Sequence, residues 1–223
     1  MPVVTGTLQA VFFDFDGVIC DSVDVKTQAF DALYKSSGDD IRDAVRRYHL
    51  LHGGISRIKK IRHYEEIING VPPDDSIVAE KAEQFARLVI DAVIASPYIS
   101  GARDALDALH GQCPIFVVSG TPEPELRDII SARDLTELFA GIYGSPRKKE
   151  EILGDILTRH GLTPLHTAMI GDAMTDYDAA KATGVPFVGV AEPGYSPFPD
   201  GTIVIPDLTH LLDTLIGAQG SGE

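Results

Sequence analysis

The sequence predicts an α/β protein, a doubly wound parallel sheet with an α-helical domain inserted after its first strand. Three observations predict this. Short apolar runs alternate with stretches of helical periodicity, the pattern of a parallel sheet covered on both faces. The runs end in glycines, hydroxyls or carboxylates, and open α/β sheets place ligands at the C-terminal ends of their strands. One long block, residues 22–95, carries helical periodicity and no convincing strand. The expected division is a core of residues 1–21 and 96–223 and a helical insert of residues 22–95.

The first strand is Ala10-Val11-Phe12-Phe13-Asp14-Phe15-Asp16-Gly17-Val18. An apolar run stops abruptly at two carboxylates. The run is short and bounded by turn residues, which favours a buried strand over a helix. Asp14 and Asp16 are two apart, so both point the same way while the strand persists. Gly17 permits a sharp turn. Like charges held together are costly unless a cation or a shared proton relieves them. A divalent metal is the simplest candidate.

The insert follows. Val25, Ala29, Ala32 and Leu33 recur at helical spacing until Gly38-Asp39-Asp40 interrupts them. A second helix is expected over about residues 40–51, ending before Gly53-Gly54. Ser56 is placed to cap a third, which runs through Ile58, Ile61 and Ile67 to about Asn69. Gly70-Val71-Pro72-Pro73 is a loop. Residues 74–95 read as a long amphipathic helix with Ile77, Ala82, Phe85, Leu88, Val89 and Ala92 on its apolar side.

The core resumes at Ser96. A helix near residues 102–109 leads into an apolar strand over 113–118, which ends at Ser119-Gly120-Thr121. A helix over 123–132 follows, then two further strand and helix pairs, 141–143 with 149–160 and 167–170 with 175–183, then a strand over 186–190, and a short strand at Val204-Ile205 before a closing helix over 208–216. The fourth strand ends in Gly171-Asp172. The tail 217–223 is expected to fray.

Composition narrows the function. The formal net charge is −14, with 33 acidic residues against 19 lysines and arginines. That argues against a nucleic-acid or anionic-membrane surface, since nothing basic is clustered enough to neutralise phosphates. A phosphorylated small molecule needs only a few local cations and backbone amides. Cys20 and Cys113 have no metal-ligand spacing and read as free thiols of a reducing compartment. No signal peptide and no bilayer-spanning run are seen. A cytoplasmic protein, monomeric or weakly dimeric, is expected.

Phe13-Asp14-Phe15-Asp16-Gly17-Val18 resembles the first motif of the haloacid dehalogenase-like hydrolases, and three later stretches resemble the family's other motifs in order. The resemblance implies that Asp14 is a nucleophile towards phosphorus and that Asp16 protonates the leaving alcohol and later activates water. Dehalogenase members lack aspartate at the position of Asp16, and phosphonate-cleaving members usually have a small residue there. Phosphate-ester chemistry is therefore implied. Val117-Val118-Ser119-Gly120-Thr121 resembles the second motif, so Ser119 and Gly120 are expected to hold phosphate oxygens. The third motif is a lysine at a helix start, where Lys148 and Lys149 compete. Lys149-Glu150-Glu151-Ile152-Leu153 is the closer match, although the proline that often follows this lysine is absent. Lys149 is thus expected to neutralise charge on the phosphoryl group and on Asp14. Gly171-Asp172-Ala173-Met174-Thr175-Asp176 resembles the fourth motif. By resemblance Mg²⁺ is held by Asp14, the backbone carbonyl of Asp16, and Asp172. Asp176 is then a further ligand, a ligand through water, or a partner of the lysine.

The helical insert resembles the C1-type cap of the phosphoglycolate phosphatase and β-phosphoglucomutase branch. Such caps close over the site, exclude water and read the leaving group. His49, His52, Arg57, Lys59 and Lys60 surround Gly53-Gly54. The stretch from His52 to Arg57 is the candidate specificity loop, with His52 or Arg57 holding a polar substrate group. The expected activity is a Mg²⁺-dependent phosphatase acting on a small phosphorylated metabolite, with a sugar phosphate as one candidate. The alternatives are a phosphomutase and a catalytically idle phosphate-binding protein.

Overall fold

The structure is a computed structural model that describes residues 3–217; residues 218–223 of the expected frayed tail lie outside the described residues. Six strands form one parallel sheet: β1 (Ala10–Phe13), β2 (Ile115–Pro122), β3 (Gly141–Ser145), β4 (Thr167–Gly171), β5 (Phe187–Val190) and β6 (Ile203–Ile205). Their order across the sheet is β3-β2-β1-β4-β5-β6. The chain winds one way from β1 to β3 and the other way from β4 to β6. The reversal therefore lies between β1 and β4, where open sheets bind their ligands.

The period of two along β1 separates the two faces. Val11 and Phe13 join one apolar cluster, and Ala10 and Phe12 join another. On the second face Phe12 stacks on Phe116 of β2 at 5.5 Å. Ile152, Leu153 and Ile156 of α7 (Lys149–His160) cover them there. On the first face lie α5 (Ala102–Leu109), α6 (Glu123–Ala132) and α9 (Leu211–Ile216). Helix α8 (Met174–Thr183) packs beside α7. The doubly wound arrangement follows from strands that are apolar on both sides.

Between β1 and α5 the chain forms only helices among the described elements: α1 (Val23–Leu33), α2 (Asp39–Leu51), α3 (Arg57–Asn69) and α4 (Asp75–Ala95), with one short turn of 3₁₀ helix. Phe30 is their shared anchor, with ring centroids 4.2 Å from Phe85 and 5.4 Å from Tyr64. The entry and exit of this block run side by side. Asp21 N donates to Pro97 O at 2.9 Å, and Ile99 N donates to Ile19 O at 3.0 Å. Arg133, just past α6, donates to the carbonyls of Ile94 and Ser96 at 2.6 and 2.8 Å and so fastens the end of α4.

Two local expectations are corrected. Ser56 stands at the N-terminus of α3, but its side chain makes no capping hydrogen bond. Strand β2 does not stop before Ser119. It continues through a register shift to Pro122, which pairs with Ser145, so Ser119, Gly120 and Thr121 are part of an irregular extended segment.

Candidate active site

Three adjacent strands, β1, β2 and β4, deliver the first, second and fourth expected motifs to the C-terminal end of the sheet, and α7, which follows β3, supplies the lysine of the third. Asp14 follows β1 directly, and its N–H donates to Ile170 O of β4 at 2.9 Å. Its Oδ1 accepts from the Phe15 N–H at 2.7 Å, and its Oδ2 accepts from Lys149 Nζ at 2.8 Å. Lys149 opens α7 and also donates to Asp176 Oδ1 at 2.6 Å. It is 5 % exposed, whereas the Lys148 side chain is 58 % exposed and faces Glu150. The helix start thus turns Lys149 inward and Lys148 outward.

Asp176, in the first turn of α8, also accepts from the Ala173 N–H at 3.2 Å. Asp14, Asp172 and Asp176 can each place a carboxylate oxygen within 4.8 Å of the others. Among the described residues the Asp172 carboxylate has no hydrogen bond or ion pair. Burial, and then the negative charges of Asp14 and Asp176, hold it well above the usual carboxylate range. Burial acts to lower Lys149, but Asp14 and Asp176 outweigh it and hold the lysine above its usual value. Three carboxylates therefore share one ammonium. Hard oxygen donors crowded in this way suit Mg²⁺, so the residues present fit that ion.

Asp16 faces a different set of groups. Its Oδ1 accepts from Ser22 Oγ at 2.6 Å, and its Oδ2 accepts from Thr121 Oγ1 at 3.0 Å and from Lys26. Lys26 also donates to Thr121 Oγ1 at 2.8 Å. Burial works to raise Asp16, but the Lys26 ammonium and these hydrogen bonds hold its carboxyl below the usual range. Its carboxylate is not part of the metal-competent cluster, so only its backbone carbonyl is left for an ion there.

Ser119 is buried, and its Oγ accepts from the Thr121 N–H at 3.2 Å. Gly120 meets the Gly54 carbonyl so closely that a Cβ would collide with it. The loop after α2 is therefore seated on the end of β2. Thr175 Oγ1 donates to Gly53 O at 3.3 Å and fixes the same loop to α8. His52 ends α2 with its ring 4.1 Å from that of Tyr48. Arg57 is not brought to the carboxylates. Its guanidinium pairs with Glu125 of α6 and donates to Ala82 O at 3.2 Å.

Sequence reasoning missed Lys26 as a partner of Asp16. The available signal was its place in the helix entered directly from the acidic strand end. It also missed Thr121 as a hydroxyl donor to Asp16.

The family model of the haloacid dehalogenase-like hydrolases matches residues 8–184. This chain belongs to that family. It is an enzyme, and the expected class of haloacid dehalogenase-like phosphatase is borne out by its family and relatives. It is 29 % identical over 223 residues to a phosphoglycolate phosphatase of Pseudomonas putida, covering 93 % of this chain and 80 % of that one. It is 26 % identical over 212 residues to the phosphoglycolate phosphatase of Escherichia coli K12, covering 82 % and 81 %. A solved structure of a provisionally assigned β-phosphoglucomutase from Bacteroides vulgatus shares the fold, with a TM-score of 0.75 at 18 % identity over 94 % of this chain and 89 % of that one. Among the described residues no helix is long and apolar enough to cross a membrane, and both cysteines are free.

Proposed function

We propose that this member of the family is a Mg²⁺-dependent phosphomonoesterase acting on a small phosphorylated metabolite. The carrying observation is Lys149, which bridges Asp14 and Asp176 while Asp172 stands beside them without a cation of its own. The relatives named phosphoglycolate phosphatase support a small organic phosphate as the substrate.

In this reading Asp14 attacks phosphorus, the bond to the leaving oxygen breaks, and the phosphoryl group is carried on the Asp14 carboxylate. Asp16 gives its proton to the leaving alcohol. It then takes a proton from water as that water attacks phosphorus and frees Asp14. Lys26 holds Asp16 ionised in the free site, which suits the second step. An arriving phosphate dianion opposes Lys26 and favours the protonated form needed for the first. Lys149 offsets charge on Asp14 and on the phosphoryl oxygens, and Ser119 with the Gly120 amide holds those oxygens. Mg²⁺, held by Asp14, the Asp16 carbonyl, Asp172 and Asp176, would supply Lewis-acid neutralisation of the phosphoryl charge. Residues 22–95 act as a cap domain over a core of 1–21 and 96–223, with the loop from His52 to Ser56 shielding the site from water. The free thiols fit a cytoplasmic enzyme. The site is complete within one chain, which fits a monomer or a weak homodimer.

The test is turnover of p-nitrophenyl phosphate with Mg²⁺ by the wild type and by Asp14→Asn. The wild type should release inorganic phosphate, and the variant should lose at least ~10³-fold in kcat. A variant that keeps the wild-type rate would remove Asp14 from the nucleophile's role.

A further inference from the structure

A buried ion pair fastens the helical block to the flank of the sheet. Arg57 opens α3, directly after the loop of residues 52–56, and Glu125 lies in the first turn of α6, directly after β2. Arg57 Nη2 donates to Glu125 Oε1, and the two side chains are 7 % and 9 % exposed. The pair therefore joins the two segments that meet at the site. One is the loop whose Gly54 carbonyl presses on Gly120, and the other is the end of β2 that carries Gly120. On its other side the loop is held by the 3.3 Å hydrogen bond from Thr175 Oγ1 to Gly53 O.

The pair is incompletely satisfied. One guanidinium nitrogen meets one carboxylate oxygen, whereas two parallel bonds are the strong form. Arg57 Nε is buried and has no acceptor among the described residues. The other contacts of Arg57, the Ala82 carbonyl and the Phe85 ring, both belong to α4 and so to the block. Parting the block from the flank would leave Arg57 held in place and release Glu125. Buried ion pairs contribute little more than apolar side chains of similar volume, because both charges are taken out of water. They differ in one respect. Each charge regains its hydration when the interface parts, while apolar surface resists exposure. An ion pair at this place suits a contact that breaks and re-forms.

We propose that Arg57 and Glu125 form a reversible latch. Closed, it seats the loop of residues 52–56 on the end of β2 and the start of α8. Open, it frees that loop and gives access to the carboxylates. This rests on the reading of residues 22–95 as a cap over a phosphoryl-transfer centre at Asp14, and adds the contact that holds the cap shut. Arg57 and Glu125 are positioning residues in it, acting through the loop.

The experiment follows cleavage within residues 52–57 by thermolysin, and kcat for p-nitrophenyl phosphate, both with Mg²⁺. It compares wild type, Glu125→Gln and the double variant Arg57→Leu with Glu125→Leu. Glu125→Gln should be cut there at least ~10-fold faster than wild type, because cleavage tracks the open population. Cutting within α1, around Phe30, should keep its rate. The double variant, whose contact gains no hydration on parting, should be cut at least ~10-fold more slowly in the loop and lose at least ~10-fold in kcat. Its unfolding midpoint reports that it is folded, and it carries the test alone should Glu125→Gln unfold. Wild-type cleavage or wild-type kcat in the double variant overturns the latch. So does cleavage in Glu125→Gln that rises equally within α1, which marks a purely structural pair. No turnover by the wild type overturns the Asp14 reading, and cleavage then decides the latch by itself.

Discussion

Arg57 of α3 and Glu125 of α6 form an ion pair buried between the helical block and the flank of the sheet. The guanidinium also lies 4.7 Å from the centre of the Phe85 ring and reaches the Ala82 carbonyl. The pair ties residues that lie 68 apart in sequence, one in the helical block after β1 and one in the helix after β2. Removing one partner strands the other charge in the interior, at a cost of about 3–5 kcal/mol. Glu125→Gln should therefore lower stability on that scale, measured by urea unfolding. Replacing both partners together, Arg57→Leu with Glu125→Leu, should recover most of the loss. A single variant within about 1 kcal/mol of wild type would show that the pair is not buried in solution.

Asp172 makes a different demand. Burial raises its proton affinity first, the charges of Asp14 and Asp176 add to this, and Lys149 works against them. Asp172→Asn removes one of the repelling charges, so the metal-free protein should become more stable. The same change removes an oxygen anion that Mg²⁺ needs. Wild type should gain about 2.7 kcal/mol at a hundredfold excess of Mg²⁺ over its Kd, and the variant far less. Thermal unfolding with Mg²⁺ and with EDTA reads both effects. A Mg²⁺ shift that survives in Asp172→Asn would place the ion elsewhere.

Lys60 should be visible in the pH dependence of stability. Its folded value, about 7, lies below the ordinary lysine value of 10.5. Below about 7 both folded and unfolded chains carry the proton, and the folded one bears the full penalty. As pH rises from 7 towards 10.5 the unfolded chain binds more protons than the folded one, so stability rises. The charges facing Lys60 are His49, Lys26, Asp16, Asp172 and Lys149, and His49 stays neutral throughout this range. Lys60→Met should flatten this part of the profile in urea unfolding. A wild-type profile already flat there would mean that the ammonium is solvated.

The sheet and its edge were legible because each signal was local. The apolar run of β1 ends at Asp14, and α7 begins at Lys149, within the residues that the pattern names. Asp172 and Asp176 sit on one strand end and one helix start, a fixed offset that survives folding. What sequence could not show was which partner a charged side chain takes across the fold. Arg57 beside Gly53-Gly54 read as a substrate ligand, yet α3 carries it to Glu125, 68 residues away in the chain. Lys26 carries no signal of its own in the helical pattern after the first strand, yet it closes on Asp16 and Thr121. Both contacts depend on how the block docks onto the core, and no spacing within one element encodes that.

Gly54 tests that docking directly. Its φ is +70°, in the left-handed region where a side chain is disfavoured by roughly 1–2 kcal/mol. A Cβ there would also run into Thr175 Oγ1 and stand 3.3 Å from Lys149 Nζ, while the Gly54 carbonyl already presses on Gly120. None of these neighbours is a free end in solvent, since Lys149 is held by Asp14 and Asp176 and Gly120 is backbone in β2. Gly54→Ala must therefore lift the loop away from the strand ends. The aromatic centre of the insert around Phe30 is untouched, so the global unfolding midpoint should shift by only about that strain. Water should then enter the site, and kcat/KM for the best substrate should fall by at least ~10-fold. Gly53 supplies the control: its φ is not in the left-handed region, and an added Cβ meets only the Ala173 methyl at 3.0 Å. Gly53→Ala should cost less than Gly54→Ala in kcat/KM, and the loop should be cut by protease more slowly in it. Equal, small losses in the two variants would show that the seated loop contributes nothing to turnover.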